Sequence, residues 1–139
     1  EEAQVVALCD PICDNLAKTK LQKYVDGFRL DGIRTYSAFD PMLAEGGLDA
    51  IYFVIPPSLH AGEVVRAARA GLHLFVEKPV SLYLDEALEM EREIRDAGVI
   101  ATVGFQQRHA HLAHRLRNIR LGQRPAFFQV VEYVTQFYT

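Results

Sequence analysis

The sequence predicts an α/β fold: an open, doubly wound parallel sheet, incomplete at its N-terminus, followed by the start of an α+β domain. Three observations carry this. Short apolar runs alternate with runs of helical spacing along residues 5–103, the pattern of successive strand–helix–strand units. The apolar runs show little polar alternation, as in strands covered on both faces. The last strand-like stretch, Ala126 to Val134, is different: it is longer and rich in β-branched and aromatic residues. The first domain is placed at 1–107, and 108–139 is read as the start of the second.

Composition narrows the classes. The chain has 139 residues, half of them hydrophobic, enough to bury a sizeable core in one domain. A net charge of −3 lacks the basic footprint of a nucleic-acid binder. No apolar run approaches the ~18 residues that span a membrane. Two cysteines, Cys9 and Cys13, in an ordinary α/β chain read as reduced thiols, which points to a cytoplasmic protein.

Val5 to Leu8 reads as a strand buried on both faces, with Asp10 capping a helix from Ile12 to about Tyr24. Ile33 to Tyr36 is a weaker strand. A short helix from Asp40-Pro41 stops at Gly46-Gly47. Ala50 to Ile55 is the clearest strand, ended by Pro56-Pro57. Ser58 caps a helix from Leu59 to Ala70, whose stripe is Ala61, Val64, Val65 and Ala68, and Gly71 stops it. His73 to Val76 is the next strand. The following helix carries Leu84, Ala87, Leu88, Ile94 and Ala97 on one face and stops at Gly98; Val99 to Val103 is a further strand.

Chemistry is expected where strands end, because ligands of open parallel sheets bind outside the carboxyl ends. Lys78, in Glu77-Lys78-Pro79 just after a strand, is the first candidate. Alone it reads as a solvated surface lysine; the neighbouring motifs change the balance. Asp10 ends an early strand, where an acid binds the adenosine ribose hydroxyls of a dinucleotide and repels a 2′-phosphate. That favours NAD over NADP, against the plainer reading of a helix cap. The backbone of Pro56-Pro57-Ser58-Leu59-His60 and the His60 side chain, after the central strand, are expected to line the nicotinamide side of the crevice, against the plainer reading of a helix start with an exposed histidine. No G-x-G-x-x-G occurs in the 139 residues, although that turn cradles a pyrophosphate. The expectation is that a strand, glycine turn and helix precede Glu1, since their loss would leave the flanking strands facing a gap. His109, His111 and His114 lack a neighbouring carboxylate or cysteine and read as a basic face, so no metal site is expected.

The ordered set of motifs is similar to the Gfo/Idh/MocA oxidoreductases. The resemblance runs through Val5-Val6-Ala7-Leu8-Cys9-Asp10, Tyr36-Ser37-Ala38-Phe39-Asp40, Leu48-Asp49-Ala50-Ile51-Tyr52, Pro56-Pro57-Ser58-Leu59-His60 and Ala67-Ala68-Arg69-Ala70-Gly71. Its most specific parts are Phe75-Val76-Glu77-Lys78-Pro79 and Gly104-Phe105-Gln106-Gln107-Arg108. It implies a Rossmann-type NAD-binding domain and a second domain built on a mostly antiparallel sheet, of which Ala126 to Val134 would be the first strand. That sheet would carry homo-oligomer contacts. It implies Lys78 between nicotinamide and substrate, often with a cis bond before Pro79. Cofactor contacts would come from Asp10, Ile55, Pro56, Leu59, His60, Glu77, Lys78 and Gln106, and substrate contacts from Lys78 and Arg108.

The sequence departs from that pattern in three ways. Gln106-Gln107-Arg108 stands where the family has Asn-Arg-Arg, so only Arg108 carries over. The glycine turn is missing. The family's Asp and His pair would lie beyond Thr139, so this stretch alone is expected to be inactive. The expected function is hydride transfer between NAD and a hydroxyl-bearing carbon of a sugar or cyclitol, with NADP second. The alternative is a non-catalytic dinucleotide-binding sensor or oligomerisation partner of the same fold.

Overall fold

The structure, a computed structural model, describes residues 3–17 and 23–105. Among the described residues, five short parallel strands form two sheets. In the first, β1 (Ala7–Cys9) pairs with β2 (Arg34–Tyr36). In the second, β4 (His73–Val76) lies between β3 (Ala50–Phe53) and β5 (Ala101–Val103). The register sets Tyr52 opposite Phe75 and Phe75 opposite Thr102. Among the described residues no ladder joins β1 to β3. These are the two strands that the sequence places on either side of the expected first strand.

Among the described residues after β2, the α-helices are α1 (Phe39–Glu45), α2 (Glu63–Arg69) and α3 (Leu84–Ala97). The core lies between the second sheet and α2. Phe53, Leu74 and Val76 of the sheet meet Val64, Val65, Ala67 and Ala68 of α2, with Leu72 and Met90 closing the cluster. Successive strand residues point to opposite faces. Leu74 and Val76 are therefore buried on the α2 side, while His73 and Phe75 face away from it. Arg69 of α2 and Glu93 of α3 form an ion pair at 2.8 Å. The Arg69 guanidinium holds the Glu93 carboxyl below the usual glutamate range.

Several expectations need correction. The first strand is Ala7–Cys9 and at most half buried, because among the described residues its sole ladder partner is β2. Of the helix expected from Ile12 to Tyr24, Cys13–Leu16 form a 3₁₀ turn that ends at Ala17, and Lys23 and Tyr24 are helical; the stretch between lies outside the described residues. Asp10 does not cap it. Its carboxylate folds back over Pro11 to accept the Ile12 N–H at 2.7 Å and the Asn15 amide at 3.0 Å. Val54 and Ile55 lie beyond β3.

The Leu59–Ala70 helix is divided into a 3₁₀ turn, Pro57–Leu59, and α2, separated by extended His60. Ser58 caps nothing. Gly62 takes the N-cap position at φ 80°, a conformation that suits glycine, and Ala61 is exposed. On α3 the expected stripe holds at Ala87 and Ile94 and fails at Leu84, Leu88 and Ala97. Leu84 and Leu88 are 75% and 56% exposed, while Met90 is buried and Ala87 and Ile94 half buried. The α3 face follows the contact with α2, to which apolar spacing in α3 alone is blind.

Leu74, 4% exposed at the centre of this cluster, and Leu88 test the core assignment. Leu74→Ala is expected to cost about 2–5 kcal/mol in urea unfolding. Leu88→Ala is expected to stay within about 0.5 kcal/mol of the parent.

Candidate functional site

The carboxyl ends of the strands carry the polar groups. Each ladder runs one residue past its strand. The Asp10 N–H donates to the Tyr36 carbonyl at 3.0 Å, the Glu77 N–H to Phe53 at 3.0 Å, and the Gly104 N–H to Val76 at 2.9 Å. Glu77 is thus fixed in the backbone where β4 ends. Lys78 follows at once, exposed, and the Lys78–Pro79 bond is cis, as the resemblance implied. Among the described residues the Lys78 ammonium has no hydrogen bond or ion pair; only its main-chain N–H is engaged, donating to Glu77 Oε2 at 3.3 Å.

Glu77 is held from three strands. Its Oε1 accepts the Tyr52 hydroxyl of β3 at 2.7 Å. The Tyr52 ring stacks on Phe75 of β4, with centroids 4.2 Å apart and planes 14° from parallel. Gly104, just past β5, gives the carboxylate room: a Cβ there would sit 2.8 Å from Glu77 Oε2 and 3.1 Å from the carboxyl carbon. The Glu77 carboxylate pushes the Tyr52 phenol above its ordinary range, first by accepting its proton in a hydrogen bond; burial and charge add to the rise. Tyr52 therefore stays a donor at neutral pH.

The loop after β3 turns back on itself. His60 Nε2 lies 3.3 Å from the Ile55 carbonyl, so this nitrogen donates and the ring braces the turn. Pro56 and Leu59 are exposed and Ile55 is half buried. Beyond β2 lies an open cleft of about 390 Å³ lined by Cys13, Leu16, Leu30, Thr35, Tyr36 and Ser37. That volume falls within the ~300–1,000 Å³ range of small-molecule sites. Asp10 is hydrogen-bonded through its main chain to one wall, Tyr36. Two donors occupy its carboxylate, which leaves lone pairs for further hydroxyl donors. Partial desolvation, then the Asp10 charge, pushes the Cys9 thiol up, so Cys9 is a poor nucleophile.

The structure thus puts Glu77 and Lys78 on one turn and Ile55, Pro56, Leu59 and His60 on one loop, with Asp10 past the end of β1. Gln106, Arg108, the three histidines from 109 to 114 and the strand at Ala126 to Val134 lie outside the described residues. Sequence reasoning missed Tyr52 and Gly104 as partners of Glu77. The available signal was periodicity: Phe75 and Glu77 share a face of β4, so an aromatic residue opposite Phe75 lies within reach of Glu77.

This arrangement is an α/β domain with a lysine turn at the carboxyl end of its parallel strands. Residues 1–105 match the Gfo/Idh/MocA oxidoreductase family, NAD-binding Rossmann fold, and the chain belongs to that family. Two curated relatives are each 39% identical to it. One is the scyllo-inositol 2-dehydrogenase (NAD(+)) of Bacillus subtilis, over 55% of this chain and 23% of the relative. The other is the D-xylose 1-dehydrogenase (NADP(+)) 2 of Haloferax volcanii, over 60% and 26%. Among solved structures, the WlbA dehydrogenase of Bordetella pertussis, in complex with NADH and UDP-GlcNAcA, superposes with a TM-score of 0.72 at 27% identity; the match covers 87% of this chain and 36% of that one. The chain spans about a quarter of the length of these curated relatives.

Gly104→Ala tests the cradle. Gly104 has no positive φ, so alanine suits its backbone. The clash falls on the mobile end of a glutamate. Stability is expected to stay within about 1 kcal/mol. A crystal structure of the variant is expected to show the Glu77 carboxylate displaced from Tyr52.

Proposed function

We propose that the protein is an NAD(P)-dependent oxidoreductase that moves a hydride between a nicotinamide and a hydroxyl-bearing carbon of a sugar or cyclitol. The observation that carries this reading is Lys78, placed just past the carboxyl end of the central strand with its ammonium unpaired among the described residues. The activities of the relatives, on scyllo-inositol and D-xylose, support the substrate class.

The donor set suits the cofactor at both ends. Asp10 offers acceptors to a ribose beside the cleft at Tyr36. Ile55, Pro56 and Leu59 offer an apolar wall, His60 holds the turn that presents it, and Glu77 holds the Lys78 main chain. When bound, the nicotinamide supplies the two-electron chemistry. Lys78 supplies positive charge beside the substrate oxygen, which stabilises a developing alkoxide. Gln106 and Arg108 complete the cofactor and substrate contacts in this reading. The Asp10 carboxylate disfavours a 2′-phosphate, so NAD is the preferred cofactor. The domain boundary is set at 107/108. The second domain supplies the general base and, through the sheet starting at Ala126 to Val134, the homo-oligomer contacts of a cytoplasmic enzyme.

Two variants of the whole protein test this. Lys78→Ala is expected to lower kcat for scyllo-inositol, myo-inositol or D-xylose by about 10²–10³-fold, while calorimetry finds NAD affinity little changed; near-parental turnover would sink the proposal. Asp10→Ser is expected to raise NADP affinity relative to NAD by roughly tenfold. An unchanged ratio would remove Asp10 from the ribose site.

A further inference from the structure

We propose that Tyr52 is a positioning residue for the Glu77–Lys78 turn, locking the Glu77 carboxylate so that it fixes the Lys78 main chain. This rests on the reading of Lys78 as the group at the reacting carbon. Tyr52 is 57% exposed, so burial does not explain its orientation. Its contacts do. The ring lies flat on Phe75, its register partner across the parallel ladder. Glu77 is two residues beyond Phe75 on the same face, about 6.6 Å further along the strand. A phenol stacked on Phe75 therefore aims its hydroxyl at that carboxylate, and the 2.7 Å bond results.

With Oε1 held by Tyr52, Oε2 faces the Lys78 N–H and occupies the space left by the missing side chain of Gly104. Removing the hydroxyl leaves a carboxylate with a free rotamer and a turn with one fewer restraint. Phenylalanine keeps the stack on Phe75, so the ring remains in place. The variant separates positioning from packing.

The test uses the whole protein labelled with ¹³C at tyrosine Cζ. Tyr52 is expected to titrate above ordinary tyrosine, and Glu77→Gln is expected to bring it down. Tyr52→Phe is expected to move the Lys78 backbone amide resonance and to leave the thermal midpoint close to the parent. In NAD-dependent oxidation of scyllo-inositol it is expected to lower kcat roughly tenfold with KM nearly unchanged. Tyr83→Phe, which alters an exposed tyrosine whose hydroxyl has no bond to Glu77 among the described residues, is expected to change neither. A Tyr52 titration indifferent to Glu77→Gln, an unmoved Lys78 amide, or a parental kcat in Tyr52→Phe overturns the proposal. If the parent turns over none of scyllo-inositol, myo-inositol or D-xylose with NAD or NADP, the reading of function fails by itself. The titration and the Lys78 amide then decide the clamp without it.

Discussion

The pairing of β4 between β3 and β5 is the constraint on which the described structure depends. Parallel strands hydrogen-bonded on both sides bring their carboxyl ends to one edge, and both faces of the central strand then need separate solutions. On one face Leu74 and Val76 meet the small and branched residues of α2. That contact is what shields the ladder from water. On the other face Phe75 and Glu77 carry a stacked tyrosine and a hydrogen-bonded carboxylate. The same two-residue period that builds the core thus builds the site.

A charged pair at that edge is possible because the backbone beneath it is already fixed. The Glu77 and Gly104 N–H groups are both engaged in ladders. The acid therefore projects from a fixed position, and the lysine follows it directly with its N–H on the Glu77 carboxylate; the proposed role of Lys78 asks for such pre-set geometry. The loop after β3 is braced separately, by the His60 ring against the Ile55 carbonyl.

Much of this was legible in the sequence because strands and turns announce themselves locally. Ala50 to Phe53, His73 to Val76 and the Glu77-Lys78-Pro79 turn combine apolar runs with abrupt polar endings, which need no tertiary information. The misreadings arose where a distant partner decides. Asp10 has the composition of an α-helix cap, yet its carboxylate accepts the Ile12 N–H and the Asn15 amide at a 3₁₀ turn. Leu84 and Leu88 have helical spacing, yet they are exposed, and Met90, which that spacing leaves out, joins the core beside the expected Ile94. Ser58 precedes a helix-like run, but Gly62 at positive φ restarts it. Tyr52 reads as an ordinary strand aromatic until the register with Phe75 is known.

The central claim is that the edge formed by β3, β4 and β5 is where cofactor and substrate meet, with Lys78 between them. The most direct measurement is a crystal structure of the whole protein with NAD and scyllo-inositol bound. The account predicts the nicotinamide against the carboxyl ends of these strands, with the Lys78 ammonium within about 3.2 Å of a substrate oxygen. NAD seated there with the Lys78 ammonium turned away from the substrate would contradict it.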